Sequence, residues 1–502
     1  MNLVPAWRDR LWAAGAAIAA AWIGVSIAHG DFVLPTILVG FTAAALIVRL
    51  QSRPLSTVLL GGILVGYIIG NRGFAQLSFV RTLPLLPAEF TLLVTVSALF
   101  GHWMLKKEAP VRRDVLNAAI LLWITLSSVR LYADVREFGV MALRDYATVY
   151  YAAFFFVGQK AGRDLSGRSF LWKCITVASA GLIAIYPLFV SFPDVFLSTL
   201  TFRGTPVIFF KGDLAGTFMA VGAVFLFIHY EAHRRSWALP LSLALAGGTI
   251  LSNNRASTLG LFVATLLLLA ARRWRFVAAQ AVVGVIAATA ILIAAYVKNE
   301  PWQRTPLYGI YERAVSLTDP LGKRTYSADD SFNKGDNNLF RAIWWRAVFD
   351  ETMDESPWVG LGFGRDLAAR FIREYYPDAG DEFSTRSPHN ILLTVFARTG
   401  VVGLVPFLII AAVLLIRTAR TLRRDIEAGS WWTGATIVFI SACFGVVLEG
   451  PMGAVVFWTL LGIANSAVSE PAPNSLMLDE NAPVTDPHLH ASARADELSP
   501  AT

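Results

Sequence analysis

The boundary between a polar segment and a long apolar run carries the residue best suited to proton transfer. His389 follows the polar segment 297–388 and precedes the apolar run. Ser387 suits the N-cap of a helix and Pro388 its first position, which predicts His389 in the first helical turn. The positive end of the helix dipole would favour a neutral, proton-accepting ring. His389 is therefore a candidate general base, although a lone histidine is more often structural than catalytic.

Two stretches offer guanidinium groups, which match the oxygens of a phosphate. The first is the run Ser252-Asn253-Asn254-Arg255-Ala256-Ser257, between two short apolar segments. The second spans residues 337–346 and contains Arg341. Each stretch also has a structural interpretation that explains it about as well as phosphate binding does. The first would be a tight hairpin with Arg255 at the lipid headgroups, and the second an amphipathic interfacial helix with a tryptophan belt.

Further residues on the same predicted face are accessory candidates. Arg346 would add a guanidinium, and the neighbouring tryptophans would stack on sugar rings. The accessory candidates are Arg203, Lys211, Trp344, Trp345 and Arg346. Asp213 and Glu449 fit structural roles better. No stretch resembles a nucleotide-binding loop, a zinc motif or a carboxylate cluster, so the sequence predicts neither a metal nor another cofactor.

The composition requires a membrane around these segments. Of the 502 residues, 55% are hydrophobic and 16% are charged, and the mean hydropathy is +0.54. A soluble protein of this length could not keep so much apolar surface from water. The first apolar run predicts a retained helix and not a cleaved signal peptide, because no cleavage site leads into a soluble domain. The predicted fold is an all-α polytopic membrane protein.

Fourteen apolar runs are candidate spans, and an error of two gives about 12–14 transmembrane helices. The runs are at about 11–28, 32–50, 55–70, 88–105, 115–131, 142–158, 170–190, 212–229, 237–252, 256–271, 275–296, 389–416, 431–448 and 451–467. They predict four regions. These are transmembrane helices in 1–296, a loop domain in 297–388, C-terminal transmembrane helices in 389–468, and a disordered cytoplasmic tail in 469–502.

Basic residues predict the orientation of the chain. Every second connection is basic, as the positive-inside rule expects of cytoplasmic loops: the clusters lie around 49–53, 106–113, 160–168, 234–235, 272–275 and 417–424. This arrangement explains the net charge of +7 without a nucleic-acid partner. It puts the loop domain outside, where helical patterns at 337–352 and 365–375 predict a folded cap. Cys174 and Cys443, in separate apolar runs, predict neither a disulfide nor a metal site.

Three elements together resemble the O-antigen ligase and polymerase superfamily. Residues 252–256 resemble its Ser-Arg-Gly-type element, although Ala256 stands where the family often has glycine. Residues 340–364 resemble its outer loop, "R-x-x-W … P-x-x-G-x-G-x-G", and residues 387–404 its element "H-N-x-x-L … G-x-x-G". The resemblance covers roughly 205–465. The family is usually described with twelve spans, which puts the count of fourteen in doubt.

The resemblance implies a role for each candidate residue. Arg255 and Arg341 would grip the diphosphate of a polyprenyl-linked saccharide donor, and His389 would activate an acceptor hydroxyl for attack at the anomeric carbon. It implies an inverting, metal-independent glycosyltransferase of the bacterial inner membrane, in contact with membrane lipids and with its active site on the periplasmic face. A lipid core, a growing glycan or a protein remain open as acceptors in surface polysaccharide biosynthesis.

A transporter or flippase of lipid-linked glycans is the alternative. Transporters often show internal repeats and charges in the middle of their spans. Here the polar candidates gather on one predicted face, and no convincing repeat is found. A receptor or scaffold would leave Arg255, Arg341 and His389 unexplained.

Overall fold

The computed structural model describes residues 54–78, 86–106, 111–252, 254–319, 323–324, 326, 331–375 and 386–466. The predicted spans at about 11–28 and 32–50, and the predicted tail 469–502, lie outside these residues. Within them the chain folds almost entirely as α-helices, with one two-stranded ribbon. The predicted all-α polytopic fold is confirmed.

The helices are numbered α1 to α18 along the described chain. Before the ribbon they are α1 (Leu55–Ile69), α2 (Asn71–Ala75), α3 (Pro87–Lys106), α4 (Val115–Phe138), α5 (Val140–Asp145), α6 (Ala147–Tyr150), α7 (Ala153–Arg163) and α8 (Leu165–Ser191). A π-helical turn (Val195–Thr199) leads into the antiparallel strands β1 (Thr201–Phe202) and β2 (Thr205–Pro206), which pair Phe202 with Thr205.

The remaining helices follow the ribbon. They are α9 (Gly212–His233), α10 (Ala238–Leu251), α11 (Arg255–Ala270), α12 (Trp274–Val297), a 3-10 turn (Trp302–Arg304), α13 (Pro306–Leu317), α14 (Ser331–Glu355), α15 (Ala369–Tyr375), α16 (Ile391–Arg424), α17 (Ile426–Ala442) and α18 (Pro451–Ser466).

Six of the described helices are long and apolar enough to cross a membrane, namely α3, α4, α8, α9, α12 and α16. The helices α1, α10, α11 and α18 are shorter and also apolar. At 14 and 16 residues, α10 and α11 match the predicted pair of short helices on either side of the Arg255 stretch. The total of 12–14 spans stays a prediction, because the first two candidates lie outside the described residues.

Burial separates the centre of the bundle from its periphery. In α9, 83% of the apolar window is buried, against 6% in α12. Helix α9 packs against α10 and α17, α7 packs against α18, and α16 packs against α4 and α17. An apolar helix that is buried on most sides belongs to the core, and one that is exposed on most sides contacts lipid. Helix α12 is therefore a peripheral, lipid-facing helix.

The predicted span at 142–158 is broken into the short helices α5, α6 and α7. Gly139, with φ +56°, separates α4 from α5, because this conformation interrupts a right-handed helix. The breaks after α5 and α6 fall at Tyr146 and at Tyr151, which keep right-handed backbone angles. The break places Asp145 at the end of α5, where its carboxylate accepts a hydrogen bond from the N–H of Gly364 at 3.0 Å. The end of α5 thus makes a polar contact with the loop that contains Gly364.

The cap consists of α13, α14 and α15, between α12 and α16. The predicted helices at 337–352 and 365–375 correspond to α14 and α15, although α15 begins only at Ala369. Helix α13 was not predicted. Its signal is Thr305-Pro306, because the Thr305 hydroxyl accepts from the N–H of Tyr308 at 3.3 Å and proline suits the first helical position.

An aromatic core holds the cap together. Trp344 of α14 stacks on Phe371 of α15 with ring centroids 5.5 Å apart. The other buried members of this core are Ala347, Val348, Leu361, Leu367, Ala368 and Ala397. Since Ala397 belongs to α16, the cap packs directly on a membrane helix. Of the six positions behind the two predicted helical patterns, Trp344, Ala347, Leu367 and Phe371 are buried and Phe340 is half-buried, whereas Tyr375 is 52% exposed.

The glycine-rich loop between α14 and α15 docks its backbone on α16. The N–H of Leu361 donates to the carbonyl of Ala397 at 2.6 Å, and the N–H of Gly362 donates to that of Arg398 at 3.2 Å. A Cβ atom on Gly360, which has φ +74°, would lie 2.5 Å from the nitrogen of Thr399. The close backbone approach explains why the loop needs glycine.

Candidate functional site

His389 lies before α16 and not in its first turn. Asn390 caps the helix, because its Oδ1 accepts from two N–H groups of the first turn at 3.0 and 3.2 Å. His389 itself has φ +56°, a left-handed conformation that cannot be part of a right-handed helix. The prediction that Ser387 caps the helix and Pro388 opens it is therefore wrong.

Ser387 and Pro388, which were predicted to start the helix, make hydrogen bonds to other parts of the chain. The indole N–H of Trp345 donates to the carbonyl of Pro388 at 2.6 Å. The hydroxyl of Ser387 donates to Oε1 of Glu449, which also accepts from the hydroxyl of Thr394 at 3.0 Å. Burial raises the pKa of Glu449, against the two hydroxyl hydrogen bonds that lower it. The segment that carries His389 is thus held between α14 and the connection before α18.

Burial and two nearby cationic side chains keep the His389 ring neutral. Burial, followed by the positive charges of Arg341 and Lys211, lowers the pKa of His389 to about 4, while Asp213 opposes this effect. Lys211 Nζ lies 3.2 Å from Oδ2 of Asp213 at the start of α9. The neutral ring agrees with the sequence prediction. Its cause is burial and nearby cations, since the helix dipole argument assumed a position that His389 does not occupy.

Arg341 connects the cap to the end of α17. Its Nη1 donates to the carbonyl of Phe444 at 2.9 Å. Burial and then the positive charge of Arg255 lower the pKa of Arg341, whereas Asp213 raises it. A guanidinium still stays protonated in proteins. Arg255 and Arg341 are two positive charges that repel each other, so an anion between them would be bound favourably.

Arg255 is the first residue of α11 and points to the cap. The side chain of Asn254 caps the helix by accepting an N–H at 2.8 Å. Nη1 of Arg255 donates to Oδ1 of Asn338 at 2.8 Å and to the hydroxyl of Ser316 at 3.2 Å. Asn338 is fixed in turn by donating to the carbonyl oxygens of Ser316 and Asp319, at 3.0 and 2.8 Å. The amide of Asn338 therefore orients the guanidinium.

Of the accessory candidates, Lys211 lies near the cluster and Arg346 does not. Lys211 joins Arg255, Arg341 and His389 in one electrostatic neighbourhood. The side chain of Arg346 is 84% exposed, and its Nε lies 3.5 Å from Asp350 on the same helix, so Arg346 faces away from this cluster.

Arg203 occupies the turn between β1 and β2. Its guanidinium lies 5.1 Å from the centre of the Phe202 ring. Its φ of +50° is unusual for a residue other than glycine. The turn geometry and the aromatic contact indicate a structural role at this position.

Trp344 and Trp345 pack near His389 and its segment. Trp344 is buried, donates its indole N–H to the carbonyl of Leu367 at 3.1 Å, and has its ring centre 5.8 Å from that of His389. Burial on both faces leaves no platform for a sugar. Trp345 is half-buried, with its ring 6.4 Å from that of Phe444, and it positions the His389 segment through Pro388.

Several contributing residues were missed by the sequence prediction. Asn338 stands in the stretch that was singled out, but nothing marked its amide as the partner of Arg255. Ser316 and the carbonyl of Phe444 had no local signal at all. Among the described residues, no three His, Cys, Asp or Glu side chains gather as metal ligands would. The cluster as it stands offers cations for an anion and a neutral base beside them.

Comparison with known proteins gives one family match. The O-antigen ligase family matches residues 240–408, which include Arg255, Arg341 and His389. No curated protein matches the chain. The family match confirms the resemblance to the O-antigen ligase and polymerase superfamily and supports a membrane glycosyltransferase-like role in polysaccharide biosynthesis. Lys211 lies outside the matched residues.

Proposed function

We propose that this O-antigen-ligase-like protein moves an oligo- or polysaccharide from a polyprenyl-diphosphate carrier to an acceptor hydroxyl. The observation that carries the proposal is the meeting of a neutral histidine with two arginines and a lysine where α9, α11, α14 and α16 come together. Such a transfer needs a base for the attacking hydroxyl and compensation for the charge of the leaving diphosphate. The cluster provides both.

Arg255 and Arg341 are proposed to bind the diphosphate. Both hydrogen bonds described for the Arg255 guanidinium start from Nη1. Its other nitrogens carry further N–H donors, which suit a bidentate contact with phosphate oxygens. Lys211 adds a third positive charge, and its ion pair with Asp213 would loosen as the diphosphate approaches.

The transfer itself is a single displacement. The acceptor oxygen attacks the anomeric carbon from the face opposite the diphosphate while His389 takes the hydroxyl proton. The bond between the anomeric carbon and the diphosphate oxygen breaks, its electron pair leaves with the carrier, and the anomeric configuration inverts. General-base assistance of this kind contributes on the order of 10²–10⁴-fold. The guanidinium groups supply the compensating charge, so the proposed reaction is independent of a metal ion.

Donor binding also prepares the base. In the protein without donor, Arg341 and Lys211 disfavour protonation of His389. A diphosphate between these cations adds negative charge beside the ring and favours imidazolium. The basicity of His389 therefore rises when the donor is in place, which is when a proton has to be accepted.

The proposal is tested by transfer with purified protein and a defined polyprenyl-diphosphate saccharide. We expect His389→Gln to lower the rate by about 10²–10⁴-fold with donor binding and thermal stability preserved. Arg341→Ala is expected to weaken donor binding. Arg346→Ala, an exposed arginine on the same helix, is the matched control and should transfer at the parental rate.

Three outcomes would contradict parts of the proposal. Wild-type protein that carries the donor across vesicles without transferring the glycan to lipid, glycan or protein acceptors would indicate a flippase. Unchanged activity in His389→Gln would remove the base. Loss of transfer on adding a chelator, with recovery on adding a metal, would overturn metal independence.

A further inference from the structure

Two arginines on either side of His389 converge on one carboxylate from the N-terminal half of the chain. Arg398 Nη2 lies 2.8 Å from Oδ2 of Asp145, and Arg386 Nη2 lies 4.0 Å from the same oxygen. The side chains of Arg398 and Asp145 are only 6% and 13% exposed. Screening by water is weak at such sites, so the carboxylate strongly constrains the Arg398 guanidinium. Arg386, 24% exposed, is attracted to the same carboxylate at the longer distance.

The same three side chains also hold the glycine-rich loop of the cap. Asp145 Oδ2 accepts from the N–H of Gly364 at 3.0 Å, and Arg386 donates to the carbonyl of Gly364 at 2.6 Å. Arg398 Nη1 donates to the carbonyl oxygens of Gly362 at 3.0 Å and Arg365 at 2.6 Å. Asp145 is therefore the junction of α5, the cap loop, the segment before α16, and α16 itself.

This junction fixes one side of the His389 segment, while α14 fixes the other. On the α14 side, Trp345 holds Pro388 through its indole N–H, and Arg341 projects from the same helix. Any shift of Arg386 relative to α5 would move His389 relative to Arg341. The distance between the base and a diphosphate-binding residue thus depends on a carboxylate of a helix outside residues 240–408, the part of the chain that matches the family.

We propose that Asp145 is a positioning residue for glycan transfer: through Arg386 and Arg398 it holds His389 in register with Arg341. The inference rests on the proposed function of His389 and adds a role for the N-terminal helices. Asp145 itself touches neither donor nor acceptor. A displacement of the reacting groups by about 1 Å can cost about 10²-fold in rate, which sets the size of the expected effect.

Asp134 of α4 provides a matched control because it binds the same loop, and its hydrogen bond and ion pair are with other residues than Arg386 and Arg398. The charge of Arg398 acts on Asp134 only as the weakest of its electrostatic influences. Its Oδ2 accepts from the N–H of Phe363 at 2.7 Å, and its Oδ1 pairs with Arg130 at 3.1 Å. Replacing it with asparagine removes a buried carboxylate of α4 that contacts the same loop of the cap. The loss of stability should therefore be comparable, while the His389 segment keeps its own anchor.

The test compares Asp145→Asn with Asp134→Asn in purified protein. For Asp145→Asn we expect kcat to fall by about 10- to 10²-fold, with the Kd for the donor changed by less than about threefold, because Arg255 and Arg341 are untouched. For Asp134→Asn we expect a similar drop in melting temperature with kcat within about threefold of the parent. Equal losses of kcat in the two variants, or a parental kcat in Asp145→Asn, would overturn the inference.

A second variant covers the case in which Asp145→Asn does not fold. Asp145→Asn combined with Arg398→Met removes the buried guanidinium that would be left without its counter-charge, and such joint replacements are often tolerated. Slow transfer by this folded variant supports the inference, and parental transfer contradicts it. Wild-type protein and His389→Gln are assayed alongside. A wild type that transfers nothing contradicts the proposed function, whereas a wild type and Asp145→Asn that transfer equally well contradict only the role of Asp145.

Discussion

His389 has a neutral ring because it is buried beside Arg341 and Lys211. The residue types at this boundary were informative, since a polar Ser-Pro-His-Asn stretch before an apolar run indicates the start of a helix. They could not decide between two caps. Ser387 loses its capping role to a hydrogen bond with Glu449, 62 positions further along the chain, and Asn390 takes it over. Local sequence carries no record of such a partner.

The pH dependence of transfer tests the environment of His389. The value of kcat/KM reports the protein without donor, in which the pKa of His389 is about 4. Lowering the pH should therefore leave kcat/KM level through about 6.5, where an ordinary histidine titrates, and reduce it only as the ring becomes protonated near 4. In the proposed mechanism, bound diphosphate raises the pKa of His389, so kcat should begin to fall at a higher pH than kcat/KM.

The measurement is a pair of pH–rate profiles with purified protein. Glu449, whose pKa is raised by burial, and Asp213 are carboxyl groups near the His389 segment. Glu449→Gln removes one of them and should leave the order of the two acid limbs unchanged. A fall in kcat/KM already near pH 6.5, or a kcat that falls at a lower pH than kcat/KM, would contradict the explanation.

At the scale of elements, α16 joins the base, the cap and the membrane bundle. Periodicity and end signals were enough to predict α10, α11, α14 and a long apolar helix after His389. They did not predict the interruption of α16 at Gly400, with φ +61° and ψ −163°. A Cβ atom there would lie 2.3 Å from the backbone carbon and oxygen of Trp358. Close contact with the cap, which sequence periodicity does not report, sets this conformation.

Gly400→Ala should destabilise the protein for this reason. This backbone region is almost closed to residues with a Cβ, at roughly 1–3 kcal/mol, and the overlap with Trp358 adds to that figure. We expect a lower melting temperature in detergent and slower transfer, since the docking of the cap loop on α16 would be disturbed.

Gly284→Ala is the control for this substitution. Gly284 lies in the lipid-facing α12, and a Cβ atom there would have nothing within 4 Å. Alanine also favours a helix interior over glycine. Its melting temperature should match or exceed that of the parent. Equal stability of Gly400→Ala and Gly284→Ala would show that the close approach at Gly400 is not constraining.

At the scale of the whole molecule, the cap and the cluster around His389 sit at one end of the apolar helices. The positive-inside rule predicts that this end faces outward. The prediction applies to the chain as a whole, because it puts all the basic connections on one side of the membrane and the cap on the other. An outward cluster would meet a donor in the outer leaflet.

Cysteine labelling in intact cells tests this orientation. In a background with Cys174 and Cys443 replaced by alanine, Arg346→Cys, at a side chain that is 84% exposed, should react with a membrane-impermeant maleimide added outside. Arg235→Cys, at an exposed position between α9 and α10, should react only after permeabilisation. The opposite pattern would place the cap in the cytoplasm.

The sequence by itself determined the class of the protein and which residues are candidates for the reaction. A chain that is 55% hydrophobic must find lipid as its solvent, and residue type alone limits which side chains can accept a proton or grip a phosphate. The tertiary structure decided which groups surround them. Arg255 meets Asn338 and Arg341 meets Phe444 across 83 and 103 positions, and Asp145 meets Arg398 from another helix. Periodicity reports only neighbours within a few helical turns, so these partnerships arise from the packing of helices that are distant in the chain.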